Sequence, residues 1–290
     1  SAPFAKVDLR NLPAAQRIVA RDGTPLALRR YAAVTTPPLG SVVLVHGSSA
    51  SSRSMHTLAE ALAQSGRDVV ALDMRGHGES GPRGRVERVG QLEDDVEDVM
   101  NALALPRPRT LVGFSSGGGF ALRFASGPQQ ALFDGTLLLS PFLSQDAPTQ
   151  RPDSGGWVSV GLPRYIALAL LHQAGIGAFD HLPVTAFAVA EGNPANLTTH
   201  YDFALAQNFR PRPDYRADIR AARAPMAVLV GADDEAFHAD RFAGTFAEAG
   251  KPVPVKVLPG LGHIALTLDP AALKAIVDSL DSLYLKGPAS

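Results

Sequence analysis

The chain of 290 residues contains no cysteine. Without cysteine a protein can form neither a disulfide scaffold nor a thiolate zinc site, and it cannot use a cysteine nucleophile. An excess of one charge is also missing, because 27 lysines and arginines stand against 28 aspartates and glutamates, a formal net charge of −1. A nearly neutral surface exerts no long-range attraction on nucleic acid or anionic lipid, so we expect neither as a partner.

Long apolar runs are absent as well. A helix that crosses a bilayer needs about 20 consecutive apolar residues, and the most apolar stretch, 165–171, is much shorter. We therefore expect no membrane-spanning segment. The sequence begins at Ser1 instead of methionine. We expect that a leader, a tag or another N-terminal segment was removed, so that a cytoplasmic and an exported location both stay open.

Short apolar segments alternate with helical patterns along most of the chain. After a hairpin around Asp22-Gly23, buried strands are predicted at 41–45, 68–72, 110–113, 135–139, 227–230 and 254–258. Apolar stripes with helical spacing predict helices near 58–62, at 92–103, from 238 and from 270. This alternation predicts an α/β fold in which helices flank a mostly parallel sheet.

One long stretch interrupts the alternation. The strands that end near Leu139 and begin near Met226 are too far apart in sequence for an unstructured loop in a compact domain. The stretch includes a segment rich in proline, glycine and serine at 145–156. We expect an inserted, mostly helical cap at 143–215 over the strand ends, with 1–142 and 216–290 forming the core.

The strongest functional signal is Gly113-Phe114-Ser115-Ser116-Gly117, which matches the pattern G-x-S-x-G. It lies between a predicted strand and a predicted helix, the context in which a strained turn exposes the serine Oγ to substrate. Small neighbours let the strand and helix approach closely, and the helix N-terminus favours developing negative charge. The alternative is a glycine-rich structural turn. We predict that Ser115 is a nucleophile.

A second signal, His46-Gly47-Ser48-Ser49, directly follows the first parallel strand. A hydrolytic serine needs two N–H donors for the oxyanion that forms on its substrate. Ser116, the residue after the nucleophile, would supply one of them, and we expect Ser48 to supply the other. His46 stands at a strand end, where we expect it to hold loop backbone and not to take part in catalysis.

Polar residues follow two later strands. Asp233 and Asp234 come after 227–230, and His263 comes after the next strand. Both positions lie at the carboxyl edge of the predicted sheet, where open α/β folds bind ligands. The chain order serine, aspartate, histidine is that of α/β-hydrolases. We predict His263 as the general base and Asp234 as the acid that orients it, with Asp233 as the rival acid.

These segments carry a family resemblance, together with Asp73-Met74-Arg75-Gly76-His77-Gly78-Glu79-Ser80 and Ser140-Pro141. Through these segments, residues 16–283 resemble an α/β-hydrolase. The resemblance is nearest to the branch of monoacylglycerol lipases, lysophospholipases and proline iminopeptidases, and it is weak in the cap. The resemblance implies that the acid lies three residues after a glycine, which favours Asp234 over Asp233. It also implies that the loop containing His77 is structural.

The residues predict a serine hydrolase that forms an acyl-enzyme on Ser115 and needs neither a metal nor an organic cofactor. We expect a small, partly apolar carboxylic ester as the substrate, ahead of an amide or a thioester. Six aromatic residues of the cap are candidates for lining the pocket, although core packing is expected for most of them: Trp157, Tyr165, Phe187, Tyr201, Phe203 and Phe209.

Three alternatives stay open. An aminopeptidase would need acidic groups for the substrate amine, and Glu191, Asp202 and Asp214 of the cap could supply them. Such acids are usually solvated surface groups. An acyltransferase could use the same three catalytic residues and exclude water. A receptor with slow turnover could use the same fold to bind a small ligand. The sequence does not indicate the oligomeric state.

Overall fold

Eleven strands lie within the residues that the computed structural model describes, which are 6–152, 157–189, 192–193 and 195–285. They are β1 (Gln16–Val19), β2 (Pro25–Tyr31), β3 (Ser41–Val45), β4 (Asp68–Leu72), β5 (Arg109–Phe114), β6 (Gly135–Leu139), β7 (Val158–Val160), β8 (Pro183–Phe187), β9 (His200–Asp202), β10 (Met226–Gly231) and β11 (Val255–Leu258). Eight of them form the central sheet in the order β1-β2-β4-β3-β5-β6-β10-β11.

The central sheet is mostly parallel. Only β1 with β2 and β2 with β4 pair antiparallel, and the five other neighbouring pairs are parallel. The hairpin between β1 and β2 turns at Asp22-Gly23, where Gly23 has a φ of 86° that glycine adopts without strain. The predicted fold class is therefore confirmed, and the observed strands agree with the predicted ones to within one residue at each end.

Helices cover both faces of this sheet. The described helices are α1 (His56–Gln64), α2 (Gln91–Ala102), α3 (Ser116–Ala125), α4 (Leu162–Gln173), α5 (Phe203–Asn208), α6 (Tyr215–Ala221), α7 (Phe242–Glu248) and α8 (Pro270–Leu283), of which α4 and α5 belong to the insertion between β6 and β10. Short 3₁₀ turns at Ala239–Arg241 and Ile264–Thr267 precede α7 and α8. None of the described helices has the combination of length and hydrophobicity that crossing a membrane would require.

The apolar sequence of β3 shows how the sheet forms a hydrophobic core on each of its two faces. Val43 and Val45 pack into one apolar cluster, with α2, α3 and α6, whereas Val42 and Leu44 pack into the other, with α1 and α8. Successive side chains of a strand point to opposite faces, so a strand covered on both sides must be apolar throughout. All five residues of β3 are buried. The sheet is thus rigidly held, and its carboxyl edge is a fixed platform for the residues that follow each strand.

The insertion between β6 and β10 contains a second sheet that the sequence analysis missed. Strands β7, β8 and β9 pair antiparallel beside α4 and α5. The prediction of a mostly helical insertion was thus incomplete, since three of its described elements are strands. Strands of three residues such as β7 and β9 are too short to show an alternating pattern. We propose that this insertion is a cap with the predicted limits, 143–215.

Candidate active site

Three side chains meet at the carboxyl edge of the central sheet. Ser115 directly follows β5, Asp234 follows β10, and His263 follows β11. Nε2 of His263 lies 3.1 Å from Oγ of Ser115, and Nδ1 lies 2.8 Å from Oδ2 of Asp234. The structure thus brings together the three residues that the sequence singled out, in a continuous chain of hydrogen bonds. This arrangement lets the imidazole accept the serine proton while the carboxylate holds the ring.

Backbone strain presents the serine hydroxyl. Ser115 has φ 56° and ψ −119°, a conformation that residues other than glycine rarely adopt. Strand and helix pack so closely around it that a Cβ on Gly113 would lie 2.1 Å from the carbonyl oxygen of Gly117. A Cβ on Gly117 would lie 2.2 Å from the carbonyl oxygen of His46. Glycine is therefore required at both positions of this turn.

Asp234 is fully buried and its carboxylate is fully engaged. Oδ1 accepts hydrogen bonds from the backbone N–H groups of Ala236 and Phe237, at 2.8 and 2.9 Å. Oδ2 accepts from the Ser140 hydroxyl at 2.8 Å, in addition to His263. Burial raises the pKa of Asp234, but the bonds from His263, Ser140 and the backbone outweigh this and leave the pKa below its ordinary value. The acid is therefore ionised at neutral pH.

The rival acid lies elsewhere. Asp233 is exposed, and its backbone N–H donates to the carbonyl of Leu261. A Cβ on Gly231, three residues before Asp234, would lie 2.1 Å from the same Leu261 carbonyl oxygen. The close approach of the two loops after β10 and β11 turns Asp234 inward and leaves Asp233 facing solvent. The geometry thus supports Asp234 as the partner of the histidine.

The imidazole of His263 lies between two aromatic rings. The ring centroid of Phe114 is 4.7 Å away and that of Phe237 is 5.4 Å away. The backbone N–H of His263 donates to Oε2 of Glu235 at 2.8 Å. The side chain is 15% exposed. Packing and hydrogen bonds therefore fix the ring's position but leave it within reach of a substrate.

The loop after β3, here called the oxyanion loop (46–49), adjoins the nucleophile turn. The hydroxyl groups of Ser48 and Ser116 form a short hydrogen bond with each other. The two predicted oxyanion donors are thus neighbours, on the two segments that flank Ser115. His46 is buried in this loop, where Nδ1 donates to the Gly47 carbonyl at 2.8 Å and Nε2 accepts from the Met74 backbone N–H at 3.2 Å. Its contacts are those of a residue that holds loop backbone.

Sequence reasoning assigned no role to Ser140, although it noted Ser140-Pro141 as a family mark. Ser140 is the first residue after β6 and adopts a φ of 42°, and its hydroxyl donates to Asp234. The signal was available, because a hydroxyl residue at a strand end on the carboxyl edge must lie near the other strand ends. A residue of this kind fixes the orientation of the acid.

The aromatic residues proposed for the pocket mostly pack against each other. Phe187 contacts Trp157 and Tyr201, with ring centroids 5.9 and 4.8 Å apart. Phe203 is buried against Tyr165 within the cap. Phe209, in the same insertion, contacts the rings of His46 and His77. Core packing thus accounts for most of this set, as expected.

The acids proposed for an amine site have structural partners. Glu191 lies outside the described residues. Asp202 and Asp214 cap the N-termini of α5 and α6, where their carboxylates accept from the backbone N–H groups of Leu205 and Ala217. Burial raises the pKa of Asp202 to about 6, so this group is not a solvated acid that would bind a substrate amine. Within the described ranges, no cluster of histidine and acidic side chains is arranged to hold a metal ion.

Comparison with known sequences matches parts of the chain to hydrolases. The profile of the family described as "Serine aminopeptidase, S33" matches residues 36–173, which include Ser48, Ser115 and Ser116. A monoacylglycerol lipase of Mycolicibacterium smegmatis is 34% identical over 97 residues. The aligned region covers 31% of this chain and 34% of that protein, so the match spans about a third of the relative's length.

Solved structures share the fold over almost the whole chain. A soluble variant of monoglyceride lipase from Saccharomyces cerevisiae, in complex with a substrate analogue, matches with a TM-score of 0.70 at 18% identity, covering 97% of each chain. A putative aryl esterase from Burkholderia cenocepacia matches with a TM-score of 0.65 at 18% identity, covering 93% of this chain and 99% of that one. These structures confirm the predicted α/β-hydrolase fold. The sequence match to the M. smegmatis protein confirms the predicted resemblance to the monoacylglycerol lipase branch.

Proposed function

We propose that this protein is a serine hydrolase that cleaves small, partly apolar carboxylic esters through an acyl-enzyme on Ser115. The observation that carries the proposal is the unbroken hydrogen-bond chain from Ser115 Oγ through the imidazole of His263 to the buried carboxylate of Asp234. The strained turn that exposes the Ser115 hydroxyl supports the proposal, and so does the contact between Ser48 and Ser116, whose backbone N–H groups are the proposed oxyanion donors.

In the first half of the reaction, Ser115 Oγ bonds to the carbonyl carbon of the ester while Nε2 of His263 takes the hydroxyl proton. The carbonyl electron pair moves onto its oxygen, and the backbone N–H groups of Ser48 and Ser116 stabilise this oxyanion. When the carbon–oxygen bond to the alcohol breaks, His263 returns the proton to the leaving oxygen. The alcohol departs and the acyl group stays on Ser115.

The second half repeats these steps with water. Nε2 of His263 takes a proton from a water molecule, whose oxygen bonds to the acyl carbon and forms a second oxyanion in the same site. Collapse of this intermediate breaks the bond to Ser115, which recovers its proton from His263. Throughout, the ionised Asp234 stabilises the imidazolium that forms transiently. Every step uses only groups of this chain, the ester and water.

The substrate class is inferred from the relatives and from the charges of the cap. The M. smegmatis relative is a monoacylglycerol lipase and two structural neighbours are a monoglyceride lipase and a putative aryl esterase, so esters are favoured over amides. The described acids of the cap that could bind a substrate amine serve as helix caps instead. An aminopeptidase activity thus has less support, although one matching family carries that name.

A panel of p-nitrophenyl esters with acyl chains of two to twelve carbons, run beside aminoacyl-naphthylamides, tests this proposal. We expect many turnovers per protein molecule on at least the shorter esters and a rate on the amides lower by about 10² or more, since Asp202 and Asp214 already accept hydrogen bonds at helix N-termini. Release of p-nitrophenol and of naphthylamine is followed by absorbance and fluorescence.

Other outcomes of the panel favour the other classes. A single burst of p-nitrophenol without further turnover would indicate a slow receptor. Faster cleavage of the amides than of the esters would indicate an aminopeptidase. Transfer of the acyl group to an added alcohol, in preference to water, would indicate an acyltransferase. Each result would contradict the proposed ester hydrolysis.

A further inference from the structure

A buried tyrosine of the cap contacts the oxyanion loop from outside the catalytic chain. The hydroxyl oxygen of Tyr201, on β9, accepts a hydrogen bond from the Ser49 backbone N–H at 2.7 Å. The same hydroxyl lies 2.5 Å from Nε2 of His77. Tyr201 is 4% exposed and His77 is fully buried. The contact therefore lies in the interior, between the cap and the loop that carries the predicted oxyanion donor.

The direction of each hydrogen bond in this chain is fixed. Nδ1 of His77 lies 3.2 Å from the carbonyl oxygens of Met74 and Arg75, which can only accept, so Nδ1 carries the proton. Nε2 is then an acceptor, and the Tyr201 O–H donates to it. Burial, reinforced by the neighbouring His46, lowers the pKa of His77 well below its ordinary value and keeps the ring neutral. The tyrosine is thus held as donor to His77 and acceptor from Ser49.

Ser49 forms three hydrogen bonds with residues of the cap. Besides the bond from its N–H to Tyr201, its carbonyl accepts from the Thr198 N–H at 2.7 Å, and its hydroxyl donates to the Thr198 carbonyl. Ser49 also has a φ of 66°, in the left-handed region that residues other than glycine seldom adopt. A strained conformation persists only where the surroundings enforce it. Here the enforcing groups come from Thr198 and Tyr201.

The hydrogen bonds of Ser49 restrict the backbone conformation of Ser48. The Ser49 N–H belongs to the peptide unit that joins these two residues, and this unit is planar and trans. Fixing the direction of its N–H therefore also fixes the direction of the Ser48 carbonyl and limits rotation at Ser48. A donor must be aimed at the oxyanion to within a few tenths of an ångström to stabilise it fully. Tyr201 thus acts one peptide unit away from the predicted donor.

We propose that Tyr201 is a positioning residue for the oxyanion hole, which its hydroxyl keeps in the active arrangement while the cap is docked on the core. This inference rests on the proposed ester hydrolysis. The tyrosine touches neither the substrate nor the reacting atoms. It acts through Ser49 on the direction of the Ser48 N–H, and it couples the cap to the chemistry of the site.

Replacing Tyr201 with phenylalanine removes the hydroxyl and keeps the ring. The Ser49 N–H and Nε2 of His77 are then both left buried without this partner, and the peptide unit after Ser48 can rotate. Complete loss of an oxyanion donor costs about 10²–10³ in rate. We expect misalignment to lower kcat for p-nitrophenyl butyrate by about 10- to 50-fold, with KM changed by less than about 3-fold, because the substrate carbonyl carries little charge before attack.

Tyr31→Phe is the matched control. Tyr31 is also a buried tyrosine whose hydroxyl bonds to a buried histidine, with Nδ1 of His56 at 2.8 Å. The other ring nitrogen of His56 bonds to the carbonyl of Arg10, and none of the described hydrogen bonds joins Tyr31 or the His56 ring to residues 46–49. This variant leaves one buried group without a partner instead of two, so it should lose some stability, measured as the free energy of unfolding in urea, but less than Tyr201→Phe, and it should retain kcat to within about 2-fold of the wild-type value.

The experiment measures kcat and KM for the wild type and both variants, with active sites counted by fluorophosphonate titration. It also measures inhibition by a trifluoromethyl ketone of matched chain length, whose adduct with serine carries an oxyanion. In Tyr201→Phe the inhibition constant should rise in parallel with the loss in kcat. A kcat per titrated site within 2-fold of the wild type, or a fall equal to that of Tyr31→Phe, would overturn the inference.

A second variant and the activity of the wild type distinguish failure to fold and failure of the proposed function from failure of this inference. If Tyr201→Phe does not fold, the double variant Tyr201→Phe/His77→Phe removes the same hydroxyl without leaving the imidazole nitrogen of His77 buried and unpaired. That variant also leaves the Ser49 N–H without its partner, so it should lower kcat by about 10- to 50-fold at unchanged KM, and an unchanged kcat would overturn the inference. Failure of the proposed function is distinguishable, since the wild type would then release no p-nitrophenol in repeated turnovers.

Discussion

Replacing Ser115 with alanine should lower kcat for p-nitrophenyl butyrate by about 10⁶-fold, the size of loss seen when a nucleophile of this kind is removed. The hydroxyl is the atom that bonds to the acyl carbon, and no other described side chain is hydrogen-bonded to Nε2 of His263 in its place. The rate that remains should come from binding and from the oxyanion donors alone. Steady-state hydrolysis, corrected for spontaneous hydrolysis of the ester, measures the loss.

Ser282→Ala is a suitable control for this variant. Ser282 is exposed on α8, and its hydroxyl donates to the Asp278 carbonyl one turn earlier. Removal of this hydroxyl should leave kcat within about 2-fold of the wild-type value, because single surface substitutions rarely alter a rigid core. If Ser115→Ala retained more than about a hundredth of the wild-type rate, Ser115 would not be the nucleophile.

Replacing Asp234 with asparagine should lower kcat by about 10⁴-fold, the effect known for the acid of a Ser-His-Asp triad. In the wild type, Oδ2 accepts from both His263 and the Ser140 hydroxyl, while Oδ1 accepts from two backbone N–H groups. An asparagine that keeps the backbone bonds turns its NH₂ group towards His263. The ring then presents an acceptor at Nδ1, so Nε2 carries the proton and cannot take another from Ser115. The charge that stabilises the imidazolium is lost as well.

Asp233→Asn tests the rival acid with the same chemical change, one residue away. Asp233 is exposed, and its side chain contacts neither Ser115 nor His263 among the described hydrogen bonds. Its variant should keep kcat within about 3-fold. A larger loss in Asp233→Asn than in Asp234→Asn would reverse the assignment. Both variants should fold, which near-ultraviolet circular dichroism and thermal melting would verify.

The central sheet could be predicted from sequence because its strands are buried on both faces. Segments such as β3 and β6 are short and almost wholly apolar, a pattern that few other structures produce. The alternation of such strands with amphipathic helices restricts the topology to a parallel sheet with helices on each side. The order of the polar residues at the strand ends then predicted which side chains would meet.

The cap could not be predicted to the same depth. Its strand β7 is exposed along its whole length, and β9 has only three residues, so neither has a pattern of burial that sequence periodicity could reveal. These strands form because they pair with β8 at long range, which local propensity does not encode. The residues that couple the cap to the site, Thr198 and Tyr201, were for this reason not identified as such.

Within the site, the sequence indicated the reacting groups better than the groups that hold them. Ser115 and His263 stand in motifs with defined spacing, whereas Ser140 and Glu235 act through contacts between separate loops. His77 lies in a recognisable segment, but its partner Tyr201 is 124 residues away. Contacts of this kind arise only when the sheet brings the strand ends together.

The most direct test of the account is mass spectrometry of the protein during turnover. Rapid acid quenching of wild-type protein mixed with p-nitrophenyl butyrate should show a fraction of the molecules heavier by one butyryl group, and peptide mapping should place that group on Ser115. The adduct should disappear once the ester is consumed, and Ser115→Ala should never acquire it. Hydrolysis at full rate by the Ser115→Ala variant, or an adduct that maps to another side chain in the wild type, would contradict the mechanism.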